Sequence, residues 1–349
     1  MPRVCWFGIY REDYPRNYIL LDGLEELGVT VIRCGVGPYE RFRYLKLVRK
    51  LLALRGQYDV VYAAFPAQSV VPIAKLLTRK PVVMDAFYSM FDSIVRDRGE
   101  LPWYHPHSLK ALFLDWVSVL LADLVIADTE AHASYWASWW GVSREKIGVV
   151  YIGSDTKYFY PITVAPHDGF LVQYHGSYIP LQGLDVVIRA VELLRDEQGI
   201  SFRFIGSGQE YAGVRAYVED KELQNIEFIE RLPFEEINRY LNEADIVLGI
   251  FGKTQKADRV IPNKLFEGIA VGKPVITKDG AVVREGFSDT ELILVPRDPE
   301  RIASAIRMLR DDTSARDRYA RAGHERFLRS FTEKSIARSL LGHFAAICS

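Results

Sequence analysis

Residues 259–277 read RVIPNKLFEGIAVGKPVIT. Pro262 and Asn263 open an apolar-periodic run, and Gly272-Lys273-Pro274 stops it, which predicts a short helix. The VIT that follows reads as a buried strand, and DIVLGIF at 245–251 reads as another strand upstream. Strand, loop, helix, strand is the repeating unit of a parallel sheet. Within the helix, Asn263, Lys264 and Glu267 fall along one side. That side suits phosphate and sugar hydroxyls better than it suits a core.

The alternation extends in both directions. VCWFGIY, VTVIRCG, DVVYAAF, PVVMDAF, LVIAD and KIGVVYIG read as strands between amphipathic helices such as RYLKLVRKLLALRG. A break follows at YFYPITVAPHDG, and the pattern restarts with FLVQYHG, FRFIGSG and IEFIER. Near-continuous apolar strands joined by helices predict an α/β fold of two Rossmann-like, doubly wound units. The expected bounds are 1–164 and 165–331, with ligands in a cleft at the carboxyl ends of the strands. The last helical stretch, 332–349, is followed by no strand and is read as packing back on the first unit.

The bulk properties narrow the function classes. The chain has 349 residues, 49% hydrophobic and 26% charged, with a net charge of −1. This suits a globular protein and discourages a nucleic-acid binder, which needs a basic domain. Cys5, Cys34 and Cys348 show no metal-ligand spacing and point to a reducing, cytosolic compartment. The opening MPRVCWFGIY carries no secretory leader pattern, and no run approaches the ~20 apolar residues of a membrane helix.

The segment ADLVIADTEAHASYWASWWGVSREKIGVVYIGSDTKYFYP then carries a resemblance. Asp123, Thr129, Lys146, Ile147, Gly153, Asp155, Phe159 and Pro161 match, in order and spacing, the end of the first domain in retaining glycosyltransferases of the GT-B fold, family 4. YHGSYIPLQGLDVVIRAVELL, FRFIGSGQE and PNKLFEGIAVGKPVIT match that family's second domain. The resemblance implies transfer of a sugar from a nucleotide diphosphate sugar to an acceptor hydroxyl, with retention and without metal or cofactor. The acceptor would be a glycan or a lipid-linked glycan, handled on the cytoplasmic side.

The donor residues follow from chemistry and resemblance together. A diphosphate seeks backbone amides, a helix N-terminus and a cation. Gly176, Gly206 and Gly208 end strands where glycine allows close approach, and a tight turn explains them equally well. Asn263 opens the helix just after Pro262, with the amides of Lys264 and Leu265 to spare in its first turn. The resemblance places Glu267 on the donor ribose. Ser177 and Gln182 stand where relatives carry Arg and Lys, and Arg259 stands where many carry Glu. The missing cations are expected to come from Lys253, Arg259 and Lys264, with Arg259 and Lys264 acting in catalysis and Lys256 a solvated charge. Arg231, in the ERLPF loop, joins the donor set.

The first half is less typical. Gly8 is all that remains of a glycine-rich loop, and Arg16 at a helix start reaches a phosphate or is a surface residue. Relatives often place a His where Phe87 stands. Asp85 or Asp92 could orient the acceptor or take its proton, or Asp85 could cap a turn. His105 and His107 read as loop residues. The basic amphipathic run at 41–55 either lies on anionic lipid or is a packed helix with a solvated face. Rival readings are an epimerase of the same fold and a non-catalytic subunit that binds nucleotide sugar.

Overall fold

The computed structural model describes residues 1–347, so Cys348 lies outside the described residues. The chain divides into two compact units, 1–153 with 331–349 and 154–330.

In unit 1 the elements alternate strictly: β1 (Val4–Ile9), α1 (Pro15–Glu26), β2 (Val31–Val36), α2 (Arg43–Ala53), β3 (Val60–Ala63), α3 (Val71–Leu77), β4 (Val82–Asp85), α4 (Pro106–Leu121), β5 (Leu124–Ala127), α5 (Glu130–Trp140) and β6 (Ile147–Val149). All strands are parallel, in the order β2-β1-β3-β4-β5-β6. The apolar runs are strands because both faces of the sheet are covered. α2 packs on α3, α3 on α4 and α4 on α5.

Unit 2 repeats the plan with β7 (Phe170–His175), α6 (Leu184–Glu192), β8 (Ile200–Ile205), α7 (Tyr211–Asp220), β9 (Ile226–Ile229), α8 (Ile237–Glu243), β10 (Ile246–Leu248), α9 (Asn263–Ala270), β11 (Val275–Lys278), α10 (Ala281–Gly286), β12 (Ile293–Val295), α11 (Pro299–Asp311) and α12 (Thr313–Ser330). Its parallel order is β12-β11-β10-β7-β8-β9. The chain leaves β7 toward one edge and returns to β10 on the other side. The β7/β10 boundary is therefore the switch point at which such sheets bind ligands.

The last helix, α13 (Glu333–Ala345), belongs to unit 1 and packs on α1. Gly23 is the point of closest approach, since a Cβ there would lie 2.1 Å from the Glu333 carbonyl. The division falls at 153/154 rather than at 164. Tyr160 N donates to Asn238 Oδ1 at 3.0 Å and Ile162 N to Asn242 Oδ1 at 2.9 Å, which ties 154–164 to unit 2.

Candidate functional site

α9 begins at Asn263, as the sequence predicts, with Pro262 in extended conformation at its N-cap. It ends in a Schellman closure. Lys273 N donates to Gly268 O and Gly272 N to Ile269 O, with Gly272 at φ +72°. Gly268 lets the helix lie against β10 and β11, since a Cβ there would sit 2.8 Å from Val275. That close seating carries Lys264 and Glu267 beneath the carboxyl ends of β7 and β10.

Lys264 is 4% exposed and Glu267 8%. Lys264 Nζ donates to Gln182 Oε1 at 2.7 Å and lies 3.6 Å from the centre of the Tyr174 ring. Burial pushes its ammonium well below the usual lysine range, and the charge of Glu267 opposes this only in part. Glu267 Oε2 is 2.7 Å from His175 Nε2, and His175 Nδ1 is buried without a hydrogen-bond partner. His175 and Tyr174 were missed by the sequence reading. The only signal was their place in YHG, at the end of a predicted strand.

Three loops are fastened together above this cluster. Phe251 N donates to Gln182 O at 2.8 Å, joining the loops after β7 and β10. Gly176 N donates to Ile205 O and Tyr178 N to Ser207 O, joining the loops after β7 and β8. Gly206, at φ +126°, is required by this packing, because a Cβ would lie 2.0 Å from Gly176 O. Gly208 similarly faces Tyr178 O at 2.8 Å, whereas Gly176 faces Lys264 Nζ at 3.0 Å. The turn reading thus accounts for Gly206 and Gly208, and Gly176 opens onto the lysine.

Other expected residues separate. Leu265 is fully buried and its amide donates to Pro262 O at 3.1 Å, so that amide is spent; those of Asn263 and Lys264 have no preceding helical carbonyl. Ser177, Arg231 and Lys253 are exposed on the loops after β7, β9 and β10, and Arg259 is half-buried in the last of these.

In unit 1 the geometry corrects three expectations. Arg16 and Asp85 are 1% and 0% exposed. Arg16 Nε meets both Asp85 oxygens at 3.2 and 3.0 Å, and its Nη1 donates to Val150 O at 2.8 Å. Tyr62 donates its hydroxyl to Asp85 Oδ2 at 2.7 Å. Burial pushes the Asp85 carboxyl up, while Arg16 and the Tyr62 hydroxyl pull it back. Arg16 is thus a core ion-pair residue, and Asp85 is its buried partner. Gly8 is no phosphate cradle. The Tyr10 ring covers this edge, 3.3 Å from a Cβ built at Gly8 and 2.5 Å from one at Gly35. His105 caps α4 by accepting from His107 N at 3.2 Å. Among the described residues no group of three or more His, Cys, Asp or Glu gathers as metal ligands would, and no helix is long and apolar enough to cross a membrane.

The comparisons with known proteins agree with this architecture. Residues 4–153 match the family described as "Glycosyl transferase 4-like domain", and 188–342 match that described as "Glycosyl transferase-like". The chain belongs to the GT-B glycosyltransferases similar to family 4. The amylovoran biosynthesis glycosyltransferase AmsK of Erwinia amylovora is 30% identical to this glycosyltransferase-family chain over 149 residues, 42% of the chain and 37% of AmsK. The putative colanic acid biosynthesis glycosyl transferase WcaI of Escherichia coli is 29% identical over 147 residues, 41% and 36% of the two. The chain spans between about a third and half the length of the curated relatives it matches. Among solved structures, Anabaena HepE in complex with UDP and glucose has a TM-score of 0.73 at 16% identity, covering 99% of this chain and 100% of that one. The sucrose-phosphate synthase of Thermosynechococcus elongatus has a TM-score of 0.74 at 16% identity, covering 99% and 98%. At that identity the likeness is one of fold.

Proposed function

We propose that this GT-B chain transfers a sugar from a nucleotide diphosphate sugar to an acceptor hydroxyl, with retention and without metal or cofactor. The observation that carries the reading is Lys264. Its amine is drawn to Gln182, the place where relatives carry their own lysine. A buried cation that meets an amide oxygen and a ring, with its desolvation offset only in part by the charge of Glu267, is poorly compensated, and a diphosphate would complete it. The amides of Asn263 and Lys264 would add the helix N-terminus.

In this reading Lys264 and the start of α9 stabilise the leaving diphosphate, with Arg259 and Lys253 as further cations from the preceding loop. A donor phosphate oxygen would help deprotonate the acceptor, since Asp85 is committed elsewhere. Glu267, steadied by His175, would hold the ribose hydroxyls. The relatives named for amylovoran and colanic acid biosynthesis support a glycan or lipid-linked glycan acceptor, met on the cytoplasmic face with peripheral membrane contact through 41–55.

The test is a thermal-shift panel of UDP, GDP, ADP, TDP and CMP with their sugars, on wild type and Glu267→Ala. UDP and UDP-glucose come first because the Anabaena neighbour is solved with them. A ligand of the folded state raises the midpoint. A rise for one nucleotide, lost in the variant, supports the site. Binding without turnover on any acceptor would favour the non-catalytic subunit, which the committed Asp85 and the Phe at position 87 keep open. An inverted product anomer would remove the retaining mechanism.

A further inference from the structure

Unit 1 has a switch point of its own. The chain leaves β1 for β2 on one side and returns to β3 on the other, so the crevice lies between β1 and β3. The loops after β1, β3 and β4 bring four rings together there. Tyr14 and Phe65 stack with their centres 4.7 Å apart, and Phe87 and Tyr88 each meet Phe65 edge-on at 5.1 Å. Phe65 is the buried hub, and Tyr14, Phe87 and Tyr88 are half-buried around it. Two buried amides fix the loops that carry these rings. Asn17 Nδ2 donates to Arg11 O and to Phe65 O, both at 2.9 Å, which ties the loops after β1 and β3. Gln68 Nε2 donates to Tyr88 O at 2.7 Å, which ties the loops after β3 and β4.

The charges close to the rings are matched to one another. Arg16, 5.8 Å from the centre of the Phe87 ring, is held by Asp85 at 3.0 Å. Arg11, exposed on the loop that carries Tyr14, meets Asp13 at 2.6 Å. Arg98, within electrostatic reach of Tyr14 and Tyr88, meets Glu100 at 3.3 Å. Each of these cations has a carboxylate, and exposed Glu12 adds a negative charge to the loop after β1. The crevice thus presents ring surface and little to attract an anion, which sets it apart from the Lys264 cluster of unit 2.

We infer that Tyr14, Phe87 and Tyr88 form a stacking platform for the apolar face of an uncharged pyranose, the sugar unit of the acceptor. A pyranose turns C–H bonds to one side and hydroxyls outward from its edge. The negative face of an aromatic ring attracts those C–H bonds, and the contact removes apolar area from water. The Arg11–Asp13 pair offers donors and acceptors to hydroxyls without net charge. A sugar carrying a carboxylate is the poorer occupant, since it meets Glu12 and no unmatched cation among these groups. The inference rests on the proposed transfer for the role of this sugar as acceptor; the platform itself is tested apart from the donor.

The experiment is saturation-transfer NMR on the full chain with the methyl glycosides of glucose, galactose, mannose and glucuronic acid, and with uridine. Transfer is expected to the C–H face of at least one neutral glycoside, and less to the glucuronide. Phe87→Ala should weaken that binding about three- to tenfold. Phe87→Tyr, which keeps the ring, should bind as the wild type does. Tyr88→Ala serves as a second variant should Phe87→Ala lower the melting midpoint. No transfer to any neutral glycoside, transfer that both alanine variants leave unchanged, or stronger transfer to the glucuronide would overturn the proposal. So would transfer to uridine that Phe87→Ala abolishes, which would give the rings to a base. Nucleotide binding is read separately by thermal shift. Glycoside binding without a nucleotide shift would keep the platform and remove the donor reading, and the reverse would remove the platform alone.

Discussion

Each unit buries a cation near the carboxyl edge of its sheet, yet the two are surrounded differently. In unit 1, Arg16 has Asp85 on its Nε and a backbone carbonyl on its Nη1, with Tyr62 completing the carboxylate. In unit 2, Lys264 has an amide oxygen and a ring face, and the nearby Glu267 is hydrogen-bonded to His175. The first is a matched charge pair that holds β4, α1 and the chain after β6 together. The second is a cation with its desolvation only partly offset.

The sharpest way to break this contrast is Asp85→Ala. It strands Arg16 in the core, and a loss of about 3–5 kcal/mol is expected, read as a lower urea midpoint. A loss near zero would mean that Arg16 has another outlet.

Lys264→Met should do the opposite. The free chain stays as stable or gains stability, because a poorly compensated charge has gone. Affinity for the nucleoside diphosphate falls about ten- to hundredfold, the worth of one charge-assisted hydrogen bond of about 1.5–3 kcal/mol. Equal destabilisation with unchanged affinity would erase the difference between the two clusters.

His175→Ala and Glu267→Gln probe whether the histidine acts through the glutamate. Each should weaken nucleotide binding by about three- to tenfold, and the double variant no more than the worse single one. Additive losses would separate the two roles.

The smallest effect is in protons. Burial lowers the folded-state pKa of Lys264, so the unfolded chain holds a proton that the folded chain releases. Stability therefore rises with pH between the folded pKa and about 10.4, the ordinary lysine value. A bound diphosphate favours the ammonium, so binding should take up a fraction of a proton at pH values between the pKa of Lys264 in the free and in the bound protein. Calorimetry in two buffers of different ionisation enthalpy reads it, and Lys264→Met should show none.

Much of this was legible in the sequence where the cause is local. Helical spacing puts Asn263, Lys264 and Glu267 together, and Gly272 stops the helix, whatever surrounds them. The alternation of apolar runs likewise announces two parallel sheets. Contacts distant in sequence were not legible. His175 meets Glu267 across 92 residues, Lys264 meets Gln182 across 82, and Arg16 meets Asp85 across 69. Leu265 looked like a spare amide until its hydrogen bond to Pro262 placed it in a turn. Gly8 looked like a cradle until Tyr10 covered it.

The sequence by itself determined the elements, their order, and which residues open and close each one, because backbone geometry and side-chain periodicity act over a few residues. Tertiary structure decided which charges are satisfied. Desolvation and its compensation depend on the groups that folding brings within hydrogen-bond reach, and no local pattern carries that information.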